Sequence, residues 1–237
     1  LLISILSMLT ATIGMLVDGI VVGQFLGQQS VSAFGLAGPT VILTAAVAGI
    51  FSNGGSAAVS IHMGRGDDHA IQLNFTVTCV AAFICSVLFT VGMVFFNDIV
   101  ARLLGAEGEL LSLTADYVRG IGLGMIPTIM TQVIMIYIRL NNGAKLSFLS
   151  VICMTVSNII LDLVFTTVLN LGMFGMGLAT SISYLVAMLV CCLHFLKKEN
   201  VFKFTGFAEG HKELMNVVAM GIPSALNRAC MTIRGIA

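Results

Sequence analysis

VICMTVSNIILDLVFTTVL, residues 151–169, is long and apolar enough to cross a bilayer as a helix, yet it carries Asp162. A carboxylate at that depth costs at least about 2.5–3.5 kcal/mol on insertion scales, so it faces a cavity or a partner and marks an ion or substrate path. Asn158 lies one helical turn before Asp162, and Thr155 one turn before that, so the three share a face. LLISILSMLTATIGMLVDGIVV, residues 1–22, repeats the pattern with Asp18 as its single charge. Two such carboxylates point to a cation-coupled transporter.

Working outward, 58% of the 237 residues are hydrophobic and only 9% are charged. A soluble domain carries roughly 25% charged residues, so a polytopic, all-α membrane bundle is expected. The zero net charge argues against nucleic acid as a partner. All six cysteines fall in apolar segments without metal-ligand spacing and read as small buried hydrophobes. The chain opens and closes inside apolar runs, which reads as a piece of a longer protein, and no signal peptide is visible.

Spans are expected at about 1–23, 35–62, 71–96, 116–139, 146–170 and 174–196, with a seventh starting near 213. The connectors between them read as loops, with a short amphipathic segment on the inner leaflet in VFKFTGF, residues 201–207. Pro127 after Gly120, Gly122 and Gly124 predicts a bent fourth span, and Pro39 after Gly35 and Gly38 a loosened start of the second. This divides the chain into a six-helix lobe (1–196), an inter-lobe linker (197–212) and the first helix of a second lobe (213–237). Arg65, Arg139, Lys145, Lys197, Lys198, Lys203 and Lys212 lie at one end of the spans, against Arg102 and Arg119 at the other. That asymmetry places the N-terminus in the cytoplasm of a multi-pass cell-membrane protein.

A carboxylate, an amide oxygen and a hydroxyl brought together are hard ligands, suited to Na⁺ or a relayed proton and poorly suited to zinc. Thr180 and Tyr184 share a face of the sixth span. Thr155, Tyr184, Asn53 and Pro127 are the candidates for lining a substrate path. Against this stands the plainer reading, in which intramembrane Ser, Thr and Asn only join helices and Asp18 snorkels to the interface. His62, His69, His194 and His211 read as interfacial polar residues. Gly64-Arg65-Gly66-Asp67 matches the GxGD string of intramembrane aspartyl proteases, but it falls in a charged connector. Nothing resembles a phosphate-binding P-loop.

The chain resembles the N-terminal half of a multidrug and toxic compound extrusion (MATE) transporter. The resemblance is carried by VDGIVVGQFLG (17–27), NGGSAAVSIHMGRGDDHA (53–70) and, above all, LNNGAKLSFLSVICMTVSNIILDLVFTTVLNLGMFGMGLATSIS (140–183). It implies a two-lobe antiporter that is not an enzyme, exporting cationic or amphipathic small molecules in exchange for Na⁺ or H⁺, with no cofactor beyond that coupling ion. Its partners would be the lipid bilayer and the missing C-terminal lobe, and its cation site would fall on Asp18, Asn158, Asp162 and Thr180. The chain departs from the family at Ile3, Gly14 and Met15, where Pro and Tyr-Asn are common, and in Arg228 and Arg234. A flippase for lipid-linked precursors is the alternative of the same general plan, but the first six spans show no basic residue at depth.

Overall fold

A computed structural model of the chain describes residues 2–196, 201–206 and 210–236, with the side chains of 2–4, 196 and 228–236 left undescribed. Ten α-helices form one bundle: α1 Leu2–Val21, α2 Gln28–Leu36, α3 Gly38–Arg65, α4 Asp68–Phe95, α5 Asn97–Leu103, α6 Glu109–Leu123, α7 Met125–Leu140, α8 Ala144–Leu163, α9 Gly172–Cys192 and α10 Gly210–Ile236. Among the described residues, five helical stretches are long and apolar enough to cross a membrane, and the pair α6–α7 makes a sixth, bent by 50°. Large apolar side chains such as Met8, Leu88, Phe95 and Leu189 stand exposed on the outer faces, as lipid contact requires. The protein is a polytopic all-α membrane bundle.

The expected spans appear with shifted ends. The bend predicted in the fourth span falls at Gly124, where α6 stops and α7 begins. The second span is interrupted at Ala37, with Pro39 in the first turn of α3, where a missing backbone N–H costs nothing. Two connectors read as loops are helical instead: α2 occupies 28–36, and α5 with the start of α6 occupies most of 97–116. Both carry good helix formers next to apolar anchors, and Ala33 and Ala101 dock them into the core. The GxGD string is punctuation: Gly66 ends α3 at φ 68°, and the Asp67 side chain caps α4 by accepting from the Ala70 N–H at 3.0 Å.

The segment 201–206, read as an amphipathic segment on the inner leaflet, is an irregular strap packed onto the bundle. Phe202 is 2% exposed and packs with Phe75 and Tyr137, while the Thr205 N–H donates to Thr76 Oγ1 at 2.9 Å. Tertiary packing on α4 overrides the alternating pattern. Lys197, Lys198 and the rest of that connector's start lie outside the described residues, as do the side chains of Arg228, Cys230 and Arg234. His194 is buried rather than interfacial, with Nε2 3.1 Å from Asn141 Nδ2.

Helices α6 and α9 cross on glycines. A Cβ on Gly177 would stand 2.6 Å from the Tyr117 carbonyl oxygen, and one on Gly120 would stand 2.5 Å from that of Phe174. In a bilayer, with little hydrophobic force between helices, such close backbone approach is what holds them. It fixes α9 against α6 on one side, while α8 packs along its other side and α1 lies against α8. This arrangement brings the two aspartates together.

Both aspartate helices end in a wide turn: α1 runs into a π turn at Val22–Leu26, and α8 into one at Val164–Val168. Single π turns inside helical segments concentrate at functional sites. Thr166 closes the second by donating to the Asp162 carbonyl at 2.6 Å.

Candidate functional site

Asn158 is the centre of the site. Its Nδ2 donates to Asp18 Oδ1 at 2.8 Å and to Asp162 Oδ2 at 2.7 Å, so one amide holds two carboxylates from α1 and α8. Its Oδ1 accepts from the Ser183 hydroxyl of α9 at 3.0 Å, and this fixes which way the amide points. Three helices are thereby tied at one polar knot inside an apolar bundle. Asp162 is fully buried, while Asp18 is half-buried. Two buried polar atoms at the knot have no hydrogen-bond partner: Asp162 Oδ1 and Thr155 Oγ1. An orphaned carboxylate oxygen in an apolar surround is expensive, and a cation or proton there would satisfy it.

The knot borders an open cavity of about 200 Å³. Asp18, Asn158, Thr155, Thr180 and Tyr184 line it, and Asp162 sits behind Asn158. The remaining wall is largely apolar or aromatic, including Phe34, Tyr117, Met125 and Met154. Gly14 opens part of it: a Cβ there would stand 3.4 Å from Thr155 Cγ2. A concave, mostly apolar space with a few convergent polar groups is the usual form of a small-molecule site.

The structure therefore brings together Asp18, Asn158, Asp162, Thr155, Thr180 and Tyr184. Asn53 and Pro127 line neither this cavity nor the one that abuts it. On α3 the cavity face is Val41, Thr44 and Ala45, and Asn53 lies two turns further along. On α7 the lining residues are Met125, Thr128 and Gln132, and Pro127, next to Thr128, is turned about 100° from it. Ser183, Thr44 and Gln132 were not singled out as site residues. The signal for Ser183 is its position three residues after Thr180, and for Thr44 the Thr40–Thr44 pair on one face of α3.

A second cavity abuts the first, sharing Ala11, Gln132, Met154 and Tyr184, and Arg139 lines its far end. Arg139 donates from Nε to Ser147 Oγ at 2.8 Å in the last turn of α7.

A helical membrane lobe with two carboxylates tied together at the edge of a cavity belongs to the class of polytopic transporters. Residues 4–164 match the family model described as MatE, and the chain belongs to that family, one of transporters rather than enzymes. Among curated proteins it is similar to the multidrug export protein MepA of Staphylococcus saprophyticus subsp. saprophyticus, 26% identical over 215 residues, covering 90% of this chain and 48% of that protein. MepA of Staphylococcus aureus strain N315 is 24% identical over 237 residues, covering 98% of this chain and 52% of that protein. Among solved structures, a MOP superfamily transporter from Pyrococcus furiosus superposes with TM-score 0.86 at 26% identity, over 98% of this chain and 52% of that one. A multidrug resistance MATE family transporter in its outward-facing conformation gives TM-score 0.85 at 26% identity, over 96% and 51%. The chain thus spans about half the length of the relatives it matches.

Proposed function

We propose that the chain is the first lobe, with the opening helix of the second, of a secondary-active exporter that drives cationic or amphipathic small molecules out of the cell against entry of Na⁺ or H⁺. One observation carries the reading: a single amide, Asn158, ties Asp18 in the wall of a cavity to the buried Asp162 behind it, and one oxygen of Asp162 is left without a partner. Asp18, Asn158, Asp162 and Thr180 form the cation site, and Thr155 and Tyr184 contact substrate with the apolar wall. Family membership supports this, since the MepA relatives are multidrug export proteins. In the same reading residues 1–196 are the first lobe, 197–212 the linker and 213–237 the start of the second. The end bearing Arg65, Arg139, Lys145, Lys203 and Lys212 faces the cytoplasm.

Coupling follows from differential affinity. A cation between Asp18 and Asp162 stabilises the arrangement in which α1 is drawn to α8, and a substrate cation seated at Asp18 competes with it. The ion moves the conformational equilibrium only by as much as it prefers one arrangement to the other. The test is efflux of a fluorescent cationic dye by the full-length protein, with the Na⁺ and proton gradients collapsed in turn. Loss of efflux with one of them is expected, and efflux that survives removal of both refutes the antiport.

A further inference from the structure

A second buried polar cluster lies at the opposite end of the bundle from the aspartates, and the transport reading does not use it. Glu213, in the first turn of α10, is 8% exposed. Its Oε1 accepts from Asn74 Nδ2 of α4 at 2.6 Å and lies 3.1 Å from His62 Nε2 of α3. Its Oε2 lies 3.4 Å from Asn216 Nδ2. Asn74 is held in turn by the Tyr137 hydroxyl of α7, which donates to Asn74 Oδ1 at 2.8 Å. One carboxylate thus ties α10 directly to α3 and α4, and through Asn74 to α7.

The contact is also one of close backbones. A Cβ on Gly54 of α3 would collide with the Val217 carbonyl oxygen, and a Cβ on Gly221 of α10 with that of Ile50. These glycines dock α10 along two turns beyond Glu213, up to Pro223, whose ring breaks the helical hydrogen-bond ladder. Before α10, the strap with Phe202 and Thr205 is pinned to α4. The docked segment is therefore anchored at its start, clasped in its first turn, seated on glycines, and bounded by a proline.

We propose that Glu213 is the positioning residue that shuts one mouth of the transport cleft, by clasping the first helix of the second lobe to His62 and Asn74 of the first. This rests on the two-lobe reading above, in which alternating access requires the lobes to meet at one end and part at the other. His62 and Thr44 are both on α3, separated by roughly 27 Å of helix, so the clasp and the aspartate cavity sit at the two ends of one rigid element. Separation of α10 from α3 opens the buried Glu213 carboxylate, the buried Asn74 amide and the partly buried His62 to water, which re-solvates them. The clasp is thus an interaction that solvent can replace, as a reversible gate requires.

The test places spin labels at Ile61→Cys on α3 and Met215→Cys on α10, both exposed, in the full-length protein with native cysteines replaced and reconstituted in lipid. The unaltered clasp gives mainly one short distance. Glu213→Ala raises a second, longer population about tenfold, the change that 1.4 kcal/mol produces, and Glu213→Gln, which keeps an acceptor for Asn74, returns most of it. Gly54→Ala, which pries the helices apart without touching the clasp, gives the same longer population. Dye binding to the aspartate cavity stays at the wild-type affinity while efflux turnover falls, a split that general unfolding would not give. Wild-type distances in Glu213→Ala overturn the proposal, the longer population in Gly54→Ala showing that the labels report separation. Distance changes without any dye efflux by the wild type remove the exporter reading and leave the clasp standing.

Discussion

Replacing Asp162 by Asn removes one charge and keeps the shape, because the new amide still reaches Asn158. Coulomb's law at an effective dielectric of 20 gives about 4 kcal/mol between unit charges about 4 Å apart, or close to a thousandfold in affinity for a monovalent cation. The same change at Asp18 costs less, because Asp18 is half-buried at the cavity wall and water screens it, whereas Asp162 is fully buried. The fold itself should tolerate Asp162→Asn, since deleting a buried charge that lacks an opposite partner is commonly neutral or stabilising. The assay is thermal stability of purified protein titrated with Na⁺ and, separately, with acid, because a ligand bound only to the native state raises stability by RT ln(1 + [L]/Kd). The wild type gains stability with the coupling ion, Asp162→Asn loses nearly all of that gain, and Asp18→Asn loses a smaller part. A full ion response in Asp162→Asn, or a larger loss in Asp18→Asn, refutes the argument that burial strengthens the site.

Thr155→Val removes a hydroxyl that has no partner, so stability should hold or rise slightly while dye affinity falls severalfold, read by fluorescence polarisation. Gly14→Trp should fill the cavity beside Thr155 and abolish dye binding, with the ion-induced stabilisation retained. Gly177→Ala should lower stability by about 1–3 kcal/mol because its methyl meets the backbone of α6, whereas Gly92→Ala, with open space around it, should not. Both are read as the midpoint of thermal aggregation.

The aspartates and Asn158 were legible because a bilayer taxes a lone charge so heavily that its presence implies a use, and because four-residue spacing assigns a shared helical face. The break at Gly124 was legible from three glycines ahead of a proline. Asn53 and Pro127 lie off the cavity walls, since polarity or rigidity within a span does not say which way a residue faces; that depends on how α3 and α7 are rotated against their neighbours. Glu213 was passed over because it stands in a charged connector, where solvation is the ordinary outcome. Its burial is created by Asn74 and His62, at sequence separations of 139 and 151, and no local pattern reports such contacts. Phe202 shows the same limit, since its alternating neighbours suggested an amphipathic segment on the inner leaflet while Phe75 and Tyr137 drew the ring inward.

The wide turns that follow Asp18 and Asp162 have a consequence for movement. A π turn holds about one residue more than the ordinary turn, and shifting that surplus past a side chain swivels it by roughly 100° about the axis with little change in the length of the rod. With one such surplus parked just beyond each aspartate, at Val22–Leu26 and Val164–Val168, either acid can be swivelled towards or away from its counterpart while the distant halves of α1 and α8 keep their seats.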